Sequence, residues 1–215
     1  MNAKAKRRIL AVFVVACLVL PVTGWYVSSL RDKALRAKTR AQFGQWSAAM
    51  ELYNADYGNF PPIDGNYSGG GSAKVNMVNS EKFSVALTGR KLDGTDADLR
   101  VGSAKAEKKV GNTKLKAFYT IAPGELGGST PVLHDYFGNT EIAVLYDKNG
   151  DGIINGTDIR VLPTVRAKGG GTFTPGPADI NLSKGIPAPV AFYSAGKGRA
   201  DGGKIEAADA VLSWK

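Results

Sequence analysis

Residues 9–30, ILAVFVVACLVLPVTGWYVSSL, run without a single charge into residues 31–57, RDKALRAKTRAQFGQWSAAMELYNADY, and there the chain meets Gly58-Asn59-Phe60-Pro61-Pro62. The first half is apolar and the second amphipathic, with Gly44 as its one weak helix former. Together they predict one long helix. The stop follows from the prolines, which lack a donor and push the preceding residue out of the helical region. An apolar half joined to an amphipathic half predicts a rod anchored in a membrane and carrying a head outside it.

The amphipathic half carries Phe43, Trp46, Met50 and Tyr53 at steps of three, four and three, one stripe of a helix. These four are the expected contacts between helix and head. Arg40, Gln45 and Asn54 fall on the other side. Ala34, Ala37, Ala41, Gly44 and Ala48 form a line of small residues, which reads either as plain helix propensity or as a face for close helix approach.

The net charge of +9 resembles a nucleic-acid signature until it is located. Residues 1–41 hold nine of the 28 basic side chains and one of the 19 acidic ones, Asp32, leaving 19 basic against 18 acidic in the remainder. Basic residues flanking an apolar span are ordinary interface anchors. The expected partner is therefore a membrane and not nucleic acid. The expected placement is a single pass through the inner (cytoplasmic) membrane, with the head in the periplasm or cell exterior. Two rivals remain for the same segment. Val22-Thr23-Gly24 passes as a signal-peptide cleavage site, and Val14-Val15-Ala16-Cys17 resembles a lipobox. The chain thus divides into a basic leader and transmembrane helix (1–30), an amphipathic continuation (31–62) and a globular head (63–215).

With one cysteine, Cys17, and one histidine, His134, neither a disulfide nor a Cys/His zinc site can form within the chain. His134-Asp135 lacks a nucleophile in a recognisable setting, and Gly196-Lys197-Gly198 lacks the spacing of a phosphate loop. No catalytic residues are expected, and no small-molecule substrate.

Within the head, a short helix is expected at 80–87. Strands are expected at 116–121 (KAFYTI), 141–146 (EIAVLY), 159–165 and 190–194 (VAFYS). Residues 64–72 and 93–114 read as loops, as does the Gly- and Pro-rich run between the last two strands. The expected class is α+β: a long N-terminal helix packed on a small antiparallel sheet head with long loops.

The sharpest chemical signal is residues 147–158, DKNGDGIINGTD. Oxygen-bearing side chains occupy positions 1, 3, 5, 9 and 12 of a twelve-residue loop: Asp147, Asn149, Asp151, Asn155 and Asp158. Glycine stands at 6, and the carbonyl of Ile153 is placed to serve at 7. This alternation aims hard oxygen donors around one cation, and Ca²⁺ is the expected ion. The competing reading is a polar hairpin of Asx-turns with glycines at positive φ.

Several segments also carry a family resemblance. Residues 50–61, MELYNADYGNFP, resemble the "ALxxYxxDxGxYP" segment of the major pseudopilins of type II secretion, members of the type IV pilin-like superfamily. FSVALTG at 83–89 resembles their short helix ending in "LxG", and DYFGN at 135–139 their "DPWGNP" turn. FYSAG at 192–196, followed by Asp201-Gly202, Asp209 and Ser213-Trp214, resembles their C-terminal "YSxGxDG…DDIxxW" loop. Insertions relative to that pattern fall at about 64–80, 93–114 and 147–187. The resemblance implies a pilin-like fold and a structural subunit that assembles with other copies or with related subunits. It also implies a calcium site at Ser194, Asp201 and Asp209, although Lys197-Gly198 stands where the family has its first aspartate. The leader departs from the pattern: Arg7-Arg8-Ile9-Leu10 has neither the glycine cleavage site nor the following glutamate of prepilins. A membrane- or lipid-anchored exterior binding module that forms no filament is the alternative.

Overall fold

The computed structural model describes residues 3–61, 63, 76–97, 100–101, 108–109, 111–129 and 131–215, with side chains from Val27 onward except in the short strands β1 and β2. Helix α1 spans Ala3–Tyr57. It ends at Gly58, whose φ of +73° takes the chain out of the helix while its amide donates to the Asn54 carbonyl at 2.7 Å. Among the described residues no helix is long and apolar enough to cross a membrane. Most of the charge-free stretch, through Tyr26, has its side chains outside those described.

Helix α2, Ser80–Thr88, is fixed at both ends. Asn79 caps the Lys82 amide at 2.9 Å, and Gly89 adopts φ +72° while donating to the Val85 carbonyl. Strands β1 (Arg100–Val101) and β2 (Lys108–Lys109) pair within the segment expected to be a loop. A 3-10 turn, Pro123–Glu125, leads to β3 (Leu126–Gly127), which pairs with β4 (Val132–Leu133). Next come β5 (Ile142–Tyr146), β6 (Val165–Arg166), β7 (Thr172–Phe173), β8 (Val190–Ser194) and β9 (Val211–Leu212).

The central sheet is antiparallel in the order β5-β8-β9, with Val144 opposite Phe192 and Ile142 opposite Ser194. Both faces are buried, so the side-chain alternation of a strand sorts residues between two cores. Ile142, Val144, Tyr146, Val190, Phe192 and Val211 face α1 and α2. There Phe43, Trp46, Met50 and Tyr53 are all buried, and Trp46 stacks among Phe83 (ring centroids 4.6 Å), Phe192 and Phe43. Large rings from one helix stripe thus do most of the covering. Ala143, Leu145, Ala191, Tyr193 and Leu212 face the other way, into a second core. That core is built mostly by the 147–187 region, through Ile154, Ile159, Val165, Phe173, Ile180 and Ile186.

Several expected elements differ. Residues 116–121 form no strand: the amides of Phe118 and Tyr119 both donate to the Leu87 carbonyl, closing the end of α2. Their rings pack against Tyr53, Tyr57 and Phe83. The aromatic run is half-buried against the core, and its backbone is satisfied by a helix end instead of a partner strand. Residues 159–165 supply only Val165 to a strand. Pro163 has no amide to give a ladder, and its carbonyl accepts the Tyr193 hydroxyl. The Gly-rich run at 169–171 is a loop, as expected, and forms the tip of the β6–β7 hairpin.

Candidate functional site

The loop at 147–158 leaves β5 at its C-terminal end. Its two terminal aspartates are drawn inward, Asp147 and Asp158 both being buried. Asp147 accepts from the amides of Gly150 (2.8 Å), Asp151 (3.3 Å) and Gly152 (2.7 Å). Asp158 accepts from Lys148 (2.9 Å) and Asn155 (2.9 Å), so the last residue of the loop closes onto the second. Ile154 is buried and exchanges backbone hydrogen bonds with Ile186, which fastens the loop to the second core.

At the loop centre, the Nδ2 groups of Asn149 and Asn155 both point at Asp151 Oδ2, 3.0 and 3.4 Å away, and Asn155 Nδ2 also reaches the Ile153 carbonyl at 3.3 Å. Four of the six sequence-derived positions therefore meet at one place. Both amide oxygens are engaged inside the loop, Asn149 Oδ1 by the Asp151 amide at 3.0 Å and Asn155 Oδ1 by the Thr157 amide at 2.8 Å, so a hard cation would have to displace these bonds to gain either oxygen. The carboxylates themselves are dispersed. Among the described residues no three His, Cys, Asp or Glu side chains come together in a way that can hold a metal ion. A cation here would have to rely on amide and carbonyl oxygens as much as on charge. Across a cleft of about 470 Å³, Asp147, Asn149 and Tyr146 face Asn54, Gly58 and Phe60 at the end of α1.

The second candidate set is not assembled. Ser194 is fully buried and its hydroxyl donates to Asp135 Oδ2 at 2.6 Å. Asp201 pairs with Arg199 at 2.7 Å, and Asp209 lies 3.7 Å from Arg36 on α1. The guanidinium beside Asp201 holds its carboxyl well below the usual carboxylate range. Each of the three answers to a different partner, so these residues form no common ligand shell.

His134-Asp135, which lacks a nucleophile, still has a structural task, because Asp135 is a hub. Its carboxylate accepts from the amides of Phe137 (2.9 Å) and Asn139 (2.8 Å), from Asn139 Nδ2 (2.8 Å) and from Ser194. Asn139 in turn donates to the Gly196 carbonyl and accepts from the Lys168 amide. The turn is tied to α1 as well, because Gln42 donates to the His134 carbonyl and Thr39 accepts from the Tyr136 amide. Burial pushes the Asp135 carboxyl up from its ordinary value despite these donors. His134 Nδ1 is spent on the neighbouring Asp135 carbonyl at 2.7 Å. Glu125, also buried, takes the Tyr119 hydroxyl at 2.6 Å, and burial raises both groups. Only the DYFGN spacing, in which Asp accepts from amides two and four residues on, hinted at this staple.

The chain matches no known protein-family model, no curated protein and no solved structure.

Proposed function

We propose that this chain is a structural subunit of pilin-like design, acting by assembly and not by chemistry, in an envelope machine of the type II secretion or type IV pilus kind. The observation that carries this reading is the split role of α1. Its C-terminal half is the main wall of the head core, through Phe43, Trp46, Met50 and Tyr53, while the same helix continues some forty residues N-terminal to Phe43. A helix built this way transmits position between an apolar anchor and a head. On this reading residues 9–30 sit in the inner membrane and the head lies outside the cytoplasm. The loop at 147–158 takes Ca²⁺ through Asp147, Asn149, Asp151, Ile153, Asn155 and Asp158, bracing the sheet against its second cover. Weak affinity, on the order of 10⁻⁴ to 10⁻³ M, suits an exterior module.

The leader favours a second reading, a membrane-anchored exterior binding module that does not polymerise, because neither the prepilin glycine nor the glutamate is there. Sequencing the N-terminus of protein extracted from membranes separates the two. A mature end near Ile9 supports incorporation into a filament, and an intact leader supports the lone anchor. A blocked Cys17 makes the protein a lipoprotein, while recovery of the whole chain from the soluble fraction removes both readings.

A further inference from the structure

Where α1 enters the head, a groove of about 630 Å³ opens between the helix and two loop tips. Arg31 and Leu35 of α1 form one wall; Tyr136, Phe137, Lys168 and Lys197 form the other. The two lysine-bearing tips are locked together. A side chain at Gly198 would place its Cβ 2.5 Å from the Gly169 Cα, so the backbones touch where only glycine fits. The Arg199 amide donates to the Gly170 carbonyl across the same junction. Lys168 and Lys197 are thereby carried on adjoining loop tips that line the same groove.

The charges around this groove do not balance. Asp32 pairs with Lys197, Asp209 faces Arg36 and Asp201 is taken by Arg199. Among the described residues no acidic side chain pairs with Arg31 or Lys168. Lys38 lies over the Tyr136 ring, 5.8 Å from its centroid, which extends the basic collar around the aromatic wall. On the helix just before Arg31, Val27 and Leu30 are 63% and 48% exposed, large apolar side chains that the head leaves uncovered.

Depth then selects the occupant. From Val27 to Leu35 the helix rises about 12 Å, at 1.5 Å per residue. The headgroup layer of a bilayer is about 5–8 Å thick on each side of its hydrocarbon core. With the charge-free stretch in hydrocarbon up to Leu30, Arg31 and the tips carrying Lys168 and Lys197 lie at headgroup level. Tyr136 and Phe137 stand where interfacial aromatics are favoured.

We propose that this groove is a docking site for the phosphate of an anionic phospholipid headgroup, which seats the head against the membrane surface. The inference rests on the anchored reading given above. It assigns a task to the basic tips that helix anchoring alone does not need.

The test uses the full chain in lipid nanodiscs of pure phosphatidylcholine and of three parts phosphatidylcholine to one part phosphatidylglycerol. Hydrogen exchange is followed at the Lys168, Gly170, Lys197 and Arg199 amides, all hydrogen-bonded in the fold. Docking slows their exchange by about tenfold in the anionic discs only, since each basic contact with an anionic surface is favourable. In the double variant Arg31→Gln, Lys168→Gln that slowing disappears, while exchange in Ile142–Tyr146 stays unchanged and certifies the fold. Equal rates in both lipids, with the protein retained in the discs, overturn the docking site and leave the anchor standing. Protein that fails to co-purify with either disc overturns the anchor and the docking site together. If millimolar inorganic phosphate reproduces the protection in phosphatidylcholine discs, the site is one for free phosphate and the lipid assignment falls.

Discussion

One three-stranded sheet is covered by two very different materials. On one face lie two helices whose hydrogen bonds are internal and whose apolar stripe is continuous. On the other lies a largely irregular segment that reaches the sheet through separate anchors such as Ile154, Phe173 and Ile186. Both seal the sheet, since Ala143 and Tyr193 on one side are as buried as Val144 and Phe192 on the other. The difference is in what each cover costs to order. A helix presents four large side chains by fixing one regular rod. The irregular cover must fix many independent turns, and it does so with side-chain-to-backbone bonds of the kind that Asp147, Asp158 and Asn181 make.

The comparison breaks most visibly at its centre. Trp46→Ala leaves a ring-sized cavity among Phe43, Phe83 and Phe192, which a rigid helix cannot fill, and should cost about 3–5 kcal/mol in urea unfolding. Ile186→Ala, on the loop side, should cost about 2 kcal/mol, the low end for such a deletion, because irregular backbone can settle into the space. Hydrogen exchange should then quicken around 150–187 and not in α1. If the two variants cost the same and loosen the same amides, the covers are mechanically equivalent and the distinction fails.

Calcium sharpens the contrast, since it should act on one cover alone. At a tenfold excess over the dissociation constant, binding is expected to add about 1.4 kcal/mol of stability. Calorimetric titration should show heat for the parent protein and none for Asp147→Ala; heat in both would move the ion elsewhere.

On the helical side, Gly44 sits exposed in α1, and an alanine Cβ at that position would meet nothing within 4 Å. Gly44→Ala should therefore stabilise by about 0.5–1 kcal/mol through backbone entropy, read as a higher melting temperature. A loss instead would mean that this face is already in contact with something.

The gentlest change is isosteric, Glu125→Gln. Burial raises the Glu125 carboxyl, so between its ordinary value and the raised one the folded chain binds more protons than the unfolded chain. Stability from this group is full at low pH and declines as pH rises through that window. Relative to the Gln variant, the parent protein should lose stability from pH 4 to pH 7. A difference that is flat or grows with pH rules this out.

How much of this could be read from the chain depended on range. The stripe Phe43, Trp46, Met50, Tyr53 repeats at the helical period, so its burial needs no knowledge of the partner. Gly89 marks the end of α2 by local chemistry, while the Asn79 cap emerges only in the structure. The register of the 147–158 oxygens is equally local. Residues 116–121 carry the composition of a strand, and nothing near them reveals that Leu87 will claim two of their amides. Ser194 looked like a ligand beside Asp201 and Asp209 until the fold brought it to Asp135, 59 residues away.

The sequence by itself determined the long helix, its stop, its apolar stripe and the two main strands, because a periodic pattern is a property of neighbours in the chain. Tertiary structure alone decided that the sheet has a second buried face, that Asp135 ties α1, β8 and the 168–196 turns together, and that Arg31, Lys168 and Lys197 share one groove. Those outcomes depend on which distant backbone satisfies which buried polar group, and no local period encodes that choice.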